Sequence, residues 1–224
     1  MTRIGLISDT HGWLDEAVYE HFAACDEVWH VGDFGGVGLG LSHVEKAPPI
    51  LPRGEGNGED GEGEGGRGDR LEDGLEDGKG VRQSYGDLFV GKFEKLFGRT
   101  IIFRGVYGNI DTAELRMVYP EKLFFTVEGV NVFMQHIGGY PGRYSKGVKE
   151  DIVAQKSNLF VSGHSHILKI MYDDKLHCLH MNPGAAGRQG FHKMRTVIRF
   201  AIDGKEMKNC EVVELGLRGA VGSG

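Results

Sequence analysis

The sequence predicts an α/β fold with two sheets, each faced on its outside by helices. Three observations carry that expectation. Five short apolar runs, each with the length and β-branched or aromatic content of a buried strand, stop at a metal-ligand residue beside glycine. Helical stretches lie between the early runs. The second half is rich in strand pattern, with apolar runs paired around Glu128-Gly129, Asp173-Asp174 and Asp203-Gly204.

In chain order, a strand at Arg3–Ser8 runs into Asp9-Thr10-His11-Gly12, and a helix near Leu14–Ala24 turns Ala17, Val18 and Phe22 inward. A strand at Glu27–His30 runs into Gly32-Asp33. Residues 53–80 break the pattern with repeats such as Leu71-Glu72-Asp73-Gly74 and Leu75-Glu76-Asp77-Gly78. So much glycine and acid cannot bury enough apolar surface to offset its ordering entropy, so this stretch reads as a disordered insertion and an inert tether. A helix follows at Tyr85–Phe97, its aromatics a core-facing stripe. The run Ile101–Tyr107 ends at Gly108-Asn109, and a hairpin of Lys122–Glu128 with Val130–Gln135 ends at His136. After a helix at Ser145–Lys156, the run Leu159–Ser162 enters Gly163-His164-Ser165-His166. Two further pairs close the chain, Leu168–Tyr172 with Leu176–Met181 and Arg195–Ile202 with Met207–Leu215. Ligands come from both halves, so residues 1–224 read as a single domain interrupted at 53–80.

Length and composition bound the function. A chain of 224 residues can hold one domain with a substantial core. Three scattered cysteines, Cys25, Cys178 and Cys210, suit a reducing compartment and no disulfide framework. The first apolar run is too short for a signal peptide, and no stretch approaches the ~18 apolar residues of a membrane span. The expectation is a cytoplasmic protein with no membrane partner. The formal charge of −6 equals that of Arg53–Gly80 alone, where ten acids face four bases. No basic stripe points to a nucleic-acid polymer.

The five runs end where a sheet's carboxyl edge would lie, which is where open α/β sheets collect ligands. Two aspartates, an asparagine and four histidines would converge there. A single catalytic zinc uses three protein ligands, so this set suits two ions roughly 3.5–4 Å apart sharing a carboxylate. Mixed carboxylate, amide and imidazole donors without thiolate fit Mn, Fe, Zn, Co or Ni.

These blocks resemble the calcineurin-like metallophosphoesterases, whose order is D-x-H, G-D, G-N-x-D, a lone H and G-H-x-H. Here they stand as Asp9-Thr10-His11, Gly32-Asp33, Gly108-Asn109-Ile110-Asp111, His136 and Gly163-His164-Ser165-His166. Asn182-Pro183-Gly184-Ala185 is similar to a turn of the small YfcE-like phosphodiesterase branch. The resemblance implies a four-layer α-β-β-α sandwich and a metal-dependent phosphodiesterase acting on a small phosphodiester, with a homo-oligomer left open as a partner. It implies that Asp9, His11, Asp33 and His166 hold one ion, that Asp33 bridges, and that Asn109, His136 and His164 complete the second. The ions would be manganese first, with zinc, iron, nickel or cobalt as alternatives. A hydroxide between them would attack phosphorus in line, with Asp9, Asp33, Asn109 and His136 as the catalytic set. Many relatives carry histidine, a general acid, where this chain has Ile110. Such an acid contributes about 10²–10⁴-fold. Asp111 then has no histidine to orient.

Other residues leave alternatives open. His30 reads either as a partner of the ligand loops or as plain core. Arg143, in Gly138-Gly139-Tyr140-Pro141-Gly142-Arg143, reads either as a substrate-binding grip on a phosphate oxygen or as a solvated arginine in a glycine-rich turn. Asn182-Pro183-Gly184 would shape a turn beneath the site. His21, His43, His177, His180 and His192 read as structural or solvated. A non-catalytic class is also open, because a retromer subunit shares this fold as a protein-interaction scaffold; such scaffolds tend to lack ligands that this chain keeps.

Overall fold

The computed structural model describes residues 1–35 and 84–219. The predicted insertion at 53–80 and His43 lie outside them. The first parallel strands are β1 (Thr2–Ile7), β2 (Glu27–His30) and β3 (Ile102–Gly105), connected in part by α1 (Ala17–Phe22) and α2 (Tyr85–Phe97). After α3 (Ala113–Val118) come β4 (Lys122–Val127) and β5 (Val130–Gln135), an antiparallel hairpin turned at Glu128-Gly129. A small hairpin, β6 (Gly139–Tyr140) with β7 (Arg143–Tyr144), precedes α4 (Val148–Ala154). Next are β8 (Leu159–Val161), β9 (Leu168–Asp173), β10 (Cys178–Pro183), β11 (Met194–Asp203) and β12 (Glu206–Leu217).

Two five-stranded sheets result, ordered β12-β11-β1-β2-β3 and β4-β5-β8-β10-β9. Each has a parallel centre, β1-β2-β3 in the first and β5-β8-β10 in the second, with antiparallel strands outside. Strand alternation sorts the side chains between faces. Ile4 and Leu6 of β1 and Trp29 of β2 meet Val130, Val132 and Met134 of β5 and Leu159 and Val161 of β8 in the core between the sheets. On the outer face of the first sheet, Val28 packs with Val18, Tyr19 and Phe22 of α1 and Phe89 and Phe93 of α2. On the outer face of the second, Phe133 and Phe160 pack with Val148 and Ile152 of α4. The layers are therefore α-β-β-α, as the sequence predicts. Among the described residues no helix is long and apolar enough to cross a membrane.

Three helices differ from expectation, for local reasons. The first begins at Ala17 rather than Leu14 because Asp15 Oδ1 takes the Ala17 amide at 3.1 Å, giving the backbone a non-helical alternative. The fourth begins at Val148 rather than Ser145 because Gly147, at φ +87°, cannot continue a right-handed helix. The helix α3, absent from the sequence reading, is six residues long and buries only Leu115, too little to show a period. In α2, Phe89 and Phe93 reach the core, whereas Leu96 is exposed. The N-terminal end of that helix is set by Ser84 and Asp87, which form a reciprocal capping box.

Candidate metal centre

All seven candidate ligands follow parallel strands. Asp9 and His11 follow β1, Asp33 follows β2, Asn109 follows β3, His136 follows β5, and His164 and His166 follow β8. Five of them, Asp9, His11, Asp33, His164 and His166, hold φ between 50° and 66°. Left-handed backbone at a non-glycine residue costs of order 1–3 kcal/mol, and such strain collects at functional sites. Its concentration on these loops marks the place where the fold has been bent to aim side chains.

Asp9 is fully buried. Its Oδ2 accepts the Ser8 hydroxyl at 2.6 Å and the His164 amide at 3.2 Å, while Oδ1 has no hydrogen-bond partner. A bare carboxylate oxygen in the interior is costly unless a cation takes it. The Asp33 Oδ1 accepts the Ile110 amide at 3.0 Å, and its Oδ2 lies 3.2 Å from His136 Nε2. Gly108 has to be glycine here, because a Cβ would fall 2.0 Å from Asp33 Oδ1. His136 Nδ1 donates to the Val31 carbonyl at 2.6 Å, which fixes the ring with Nε2 toward Asp33, where it donates when the ring is protonated and offers its lone pair to a cation when the ring is neutral.

Charge is tuned around these groups. Burial works to raise the Asp33 carboxyl, but the hydrogen bond from His136 and its charge, with the Ile110 amide, hold it below the ordinary carboxylate range. Burial likewise opposes charge on His136, yet the bond to Asp33 and the Asp9 charge leave its pKa raised. His11 and His164 are both lowered, chiefly by burial.

The donors sort into two groups, Asp9 with His11 and His166, and Asp33 with His136 and His164. Ligand bonds of about 2.0–2.2 Å place neighbouring donor atoms on one ion roughly 3.0–3.4 Å apart. The spacings match. His11 Nε2 and His166 Nε2 are 3.1 Å apart, and His166 Nε2 is 3.1 Å from the bare Asp9 Oδ1. In the second group, His136 Nε2 stands 3.2 Å from Asp33 Oδ2 and 3.1 Å from Asn109 Oδ1. Asp9 Oδ1 is also 3.9 Å from His136 Nε2, so the groups adjoin. The residues fit two divalent cations.

Further residues secure the ligands, and the parts played by Ser8, Asp111 and Arg116 escaped the sequence reading. Ser8 braces Asp9. The carboxylate of Asp111 accepts the amides of Asp33, Gly35 and Gly108 at 2.9, 3.2 and 2.7 Å, which gives this acid a role without a histidine to orient. Burial raises its pKa, against the pull of the Gly108 and Gly35 amides. From α3, Arg116 donates to the carbonyls of Asp111 and Asn109 at 2.9 and 2.8 Å. Asn182 Nδ2 donates to the Gly163 carbonyl at 2.8 Å and its Oδ1 accepts the Gly184 amide at 2.9 Å, so this turn does lie beneath the G-H-S-H loop. His30 is buried, 3.0 Å from Thr10 Oγ1 and stacked on Phe34 at 3.9 Å; it supports the Asp9–His11 loop and touches no ligand ring. His192, read as structural or solvated, has its ring 5.3 Å from that of His166. Arg143 is exposed on β7 and lines a groove with Tyr144, Lys149 and Asp173 that includes none of the seven.

Comparison with known proteins places this arrangement. Solved structures share the fold at low identity. An archaeal phosphodiesterase is 17% identical with a TM-score of 0.54, over 95% of this chain and 99% of that one. A conserved protein of Streptococcus pneumoniae TIGR4, described as a predicted phosphoesterase, is 16% identical with a TM-score of 0.51, over 95% and 89%. The wild-type Vps29 of Entamoeba histolytica, solved in complex with Zn²⁺, is 12% identical with a TM-score of 0.52, over 95% and 98%. No curated protein sequence gives a significant match. Residues 2–55 and 84–205 match the calcineurin-like phosphoesterase superfamily domain, leaving out 56–83 and taking in every candidate ligand, and the chain belongs to that superfamily.

Proposed function

We propose that this protein is a metal-dependent phosphodiesterase that hydrolyses a small phosphodiester. One observation carries the reading: all seven donors are present, six of them in two adjoining groups at ligand spacing, with Asn109 Oδ1 3.1 Å from His136 Nε2 and Asp9 Oδ1 without a hydrogen-bond partner. Asp9, His11 and His166 would hold one divalent ion, and Asn109, His136 and His164 a second, with Asp33 shared; manganese is our first assignment. When bound, such a pair supplies a nucleophile from water at neutral pH and neutralises charge on the phosphoryl oxygens.

The chain's own part is to fix that geometry before substrate arrives. Ser8 and the His164 amide occupy one oxygen of Asp9 and so turn the other toward the centre. Val31 holds the His136 ring in the tautomer that presents Nε2. Asp111 and Arg116 pin the loops that carry Asp33 and Asn109. At position 110 the chain offers an amide to Asp33 and no side-chain acid, so nothing there protonates the departing oxygen.

The Vps29 neighbours favour a second reading, a protein-interaction scaffold on the same fold. Since one of them was solved with Zn²⁺, ion binding alone does not separate the two. Turnover does. Protein loaded with Mn, Zn or Ni is assayed on aryl phosphodiesters, with Asp33→Asn as control. Hydrolysis lost in the control supports the enzyme; two bound ions without hydrolysis would establish the scaffold.

A further inference from the structure

Three ligands are each followed by an isoleucine open to solvent. Ile110 follows Asn109, Ile137 follows His136 and Ile167 follows His166, exposed by 45%, 41% and 60%. A fourth apolar side chain, Phe191, is 103% exposed. Its two neighbours lie against the same centre. A Cβ on Gly190 would meet His166 Nδ1 at 2.0 Å, and the His192 ring stands 5.3 Å from the His166 ring.

Single exposed apolar residues are ordinary on protein surfaces. These four are not scattered. Consecutive Cα atoms are about 3.8 Å apart, so each isoleucine backbone lies one step from a ligand whose donor atom reaches a common centre. Phe191 lies between two residues that each stand near the His166 ring. None of the seven residues that directly follow a ligand carries a charge. A polynucleotide or other polyanion would call for lysine and arginine at these positions.

We propose that Ile110, Ile137, Ile167 and Phe191 form an apolar rim that receives the organic arm of the substrate, so that the site selects phosphodiesters of apolar alcohols with an alkyl arm several carbons long. The inference rests on the phosphodiesterase reading and names its substrate class. The arm lies against side chains that are otherwise open to water, while the phosphate takes the metal centre. Burial of each added methylene then strengthens binding and raises kcat/KM by up to about fourfold.

The test uses alkyl p-nitrophenyl phosphodiesters with methyl, butyl and octyl arms, which keep the leaving group constant. In the wild-type chain loaded with Mn²⁺, kcat/KM should rise with arm length. The slope should flatten in Phe191→Ser and Ile167→Gln singly, and further in a variant with all four positions polar. As a second reading, calorimetry of the corresponding alkyl monophosphates should show a binding heat capacity that grows more negative with chain length in the wild type only. Hydrolysis with no dependence on arm length, or a dependence that survives in every variant, would overturn the apolar rim and leave the phosphodiesterase standing. No hydrolysis of any ester would overturn both.

Discussion

The Asp111 carboxylate accepts the Asp33 amide at 2.9 Å, so an acid outside the proposed ligand set fixes the backbone of the ligand assigned to both ions. It holds Gly108 and Gly35 as well, joining the loops after β2 and β3 through one side chain.

Asp111→Ala strips three buried amides of their acceptor. Each unsatisfied group costs about 1–3 kcal/mol, so stability falls by at least about 3 kcal/mol, and affinity at both ion sites falls with it. Asp111→Asn, which keeps one acceptor oxygen, should lose less of each. Urea unfolding and a metal titration of the two variants check this; an alanine variant with wild-type values on both counts would remove the role assigned to Asp111.

A contrast between Asp33 and His136 tests the sharing of a ligand. Asp33→Asn should weaken both ions and abolish turnover, whereas His136→Ala should weaken mainly one. Metal analysis after dialysis reads the difference directly. Two tightly held ions and normal turnover in Asp33→Asn would be incompatible with the assignment.

These candidate ligands stand out in the sequence because they follow strand-like runs, most of them beside glycine, and the reason is physical. At Gly108 a side chain would collide with Asp33, and at Gly32 a Cβ would fall 2.7 Å from His136 Nδ1, so close approach of loops forces the glycine that betrays the site. The layered fold was legible through the two-residue alternation of β1, β2 and β5. The residues that brace the ligands were not. Ser8 bonds the Asp9 carboxylate, and Asp111 and Arg116 hold backbone groups of loops that assemble only in the folded chain. Such bonds leave no pattern in composition or spacing, whereas the Asn182 turn was read in its place beneath the site.

Ile110 stands where a proton donor stands in many relatives. Rates should therefore fall steeply as the leaving-group pKa rises across a series of aryl phosphodiesters. Ile110→His should flatten that dependence if its imidazole reaches the leaving oxygen. A flat wild-type plot, with chemistry shown to limit the rate, would mean that another residue already serves as the acid.

His180 gives the metal-free protein an acid-sensitive element away from the ligands. It is buried beside Ser162, and burial holds its pKa down at about 4, with Lys169 adding to the effect. The unfolded chain therefore binds a proton that the native chain refuses between pH 6.5 and about 4. Stability is fully present above pH 6.5 and is lost as pH falls through that window, by ~3 kcal/mol from this group. Urea unfolding at pH 7 and pH 5 should show the loss, and His180→Gln should reduce it. An unchanged pH dependence in the variant would count against His180 as the source.

The most direct test titrates metal-free protein with Mn²⁺ while following hydrolysis of an aryl phosphodiester. If the seven donors form one catalytic centre, turnover is absent at the start, rises with added metal and levels off at about two equivalents per chain. Saturation of both sites with no turnover at any point would contradict the enzyme and leave a metal-binding scaffold.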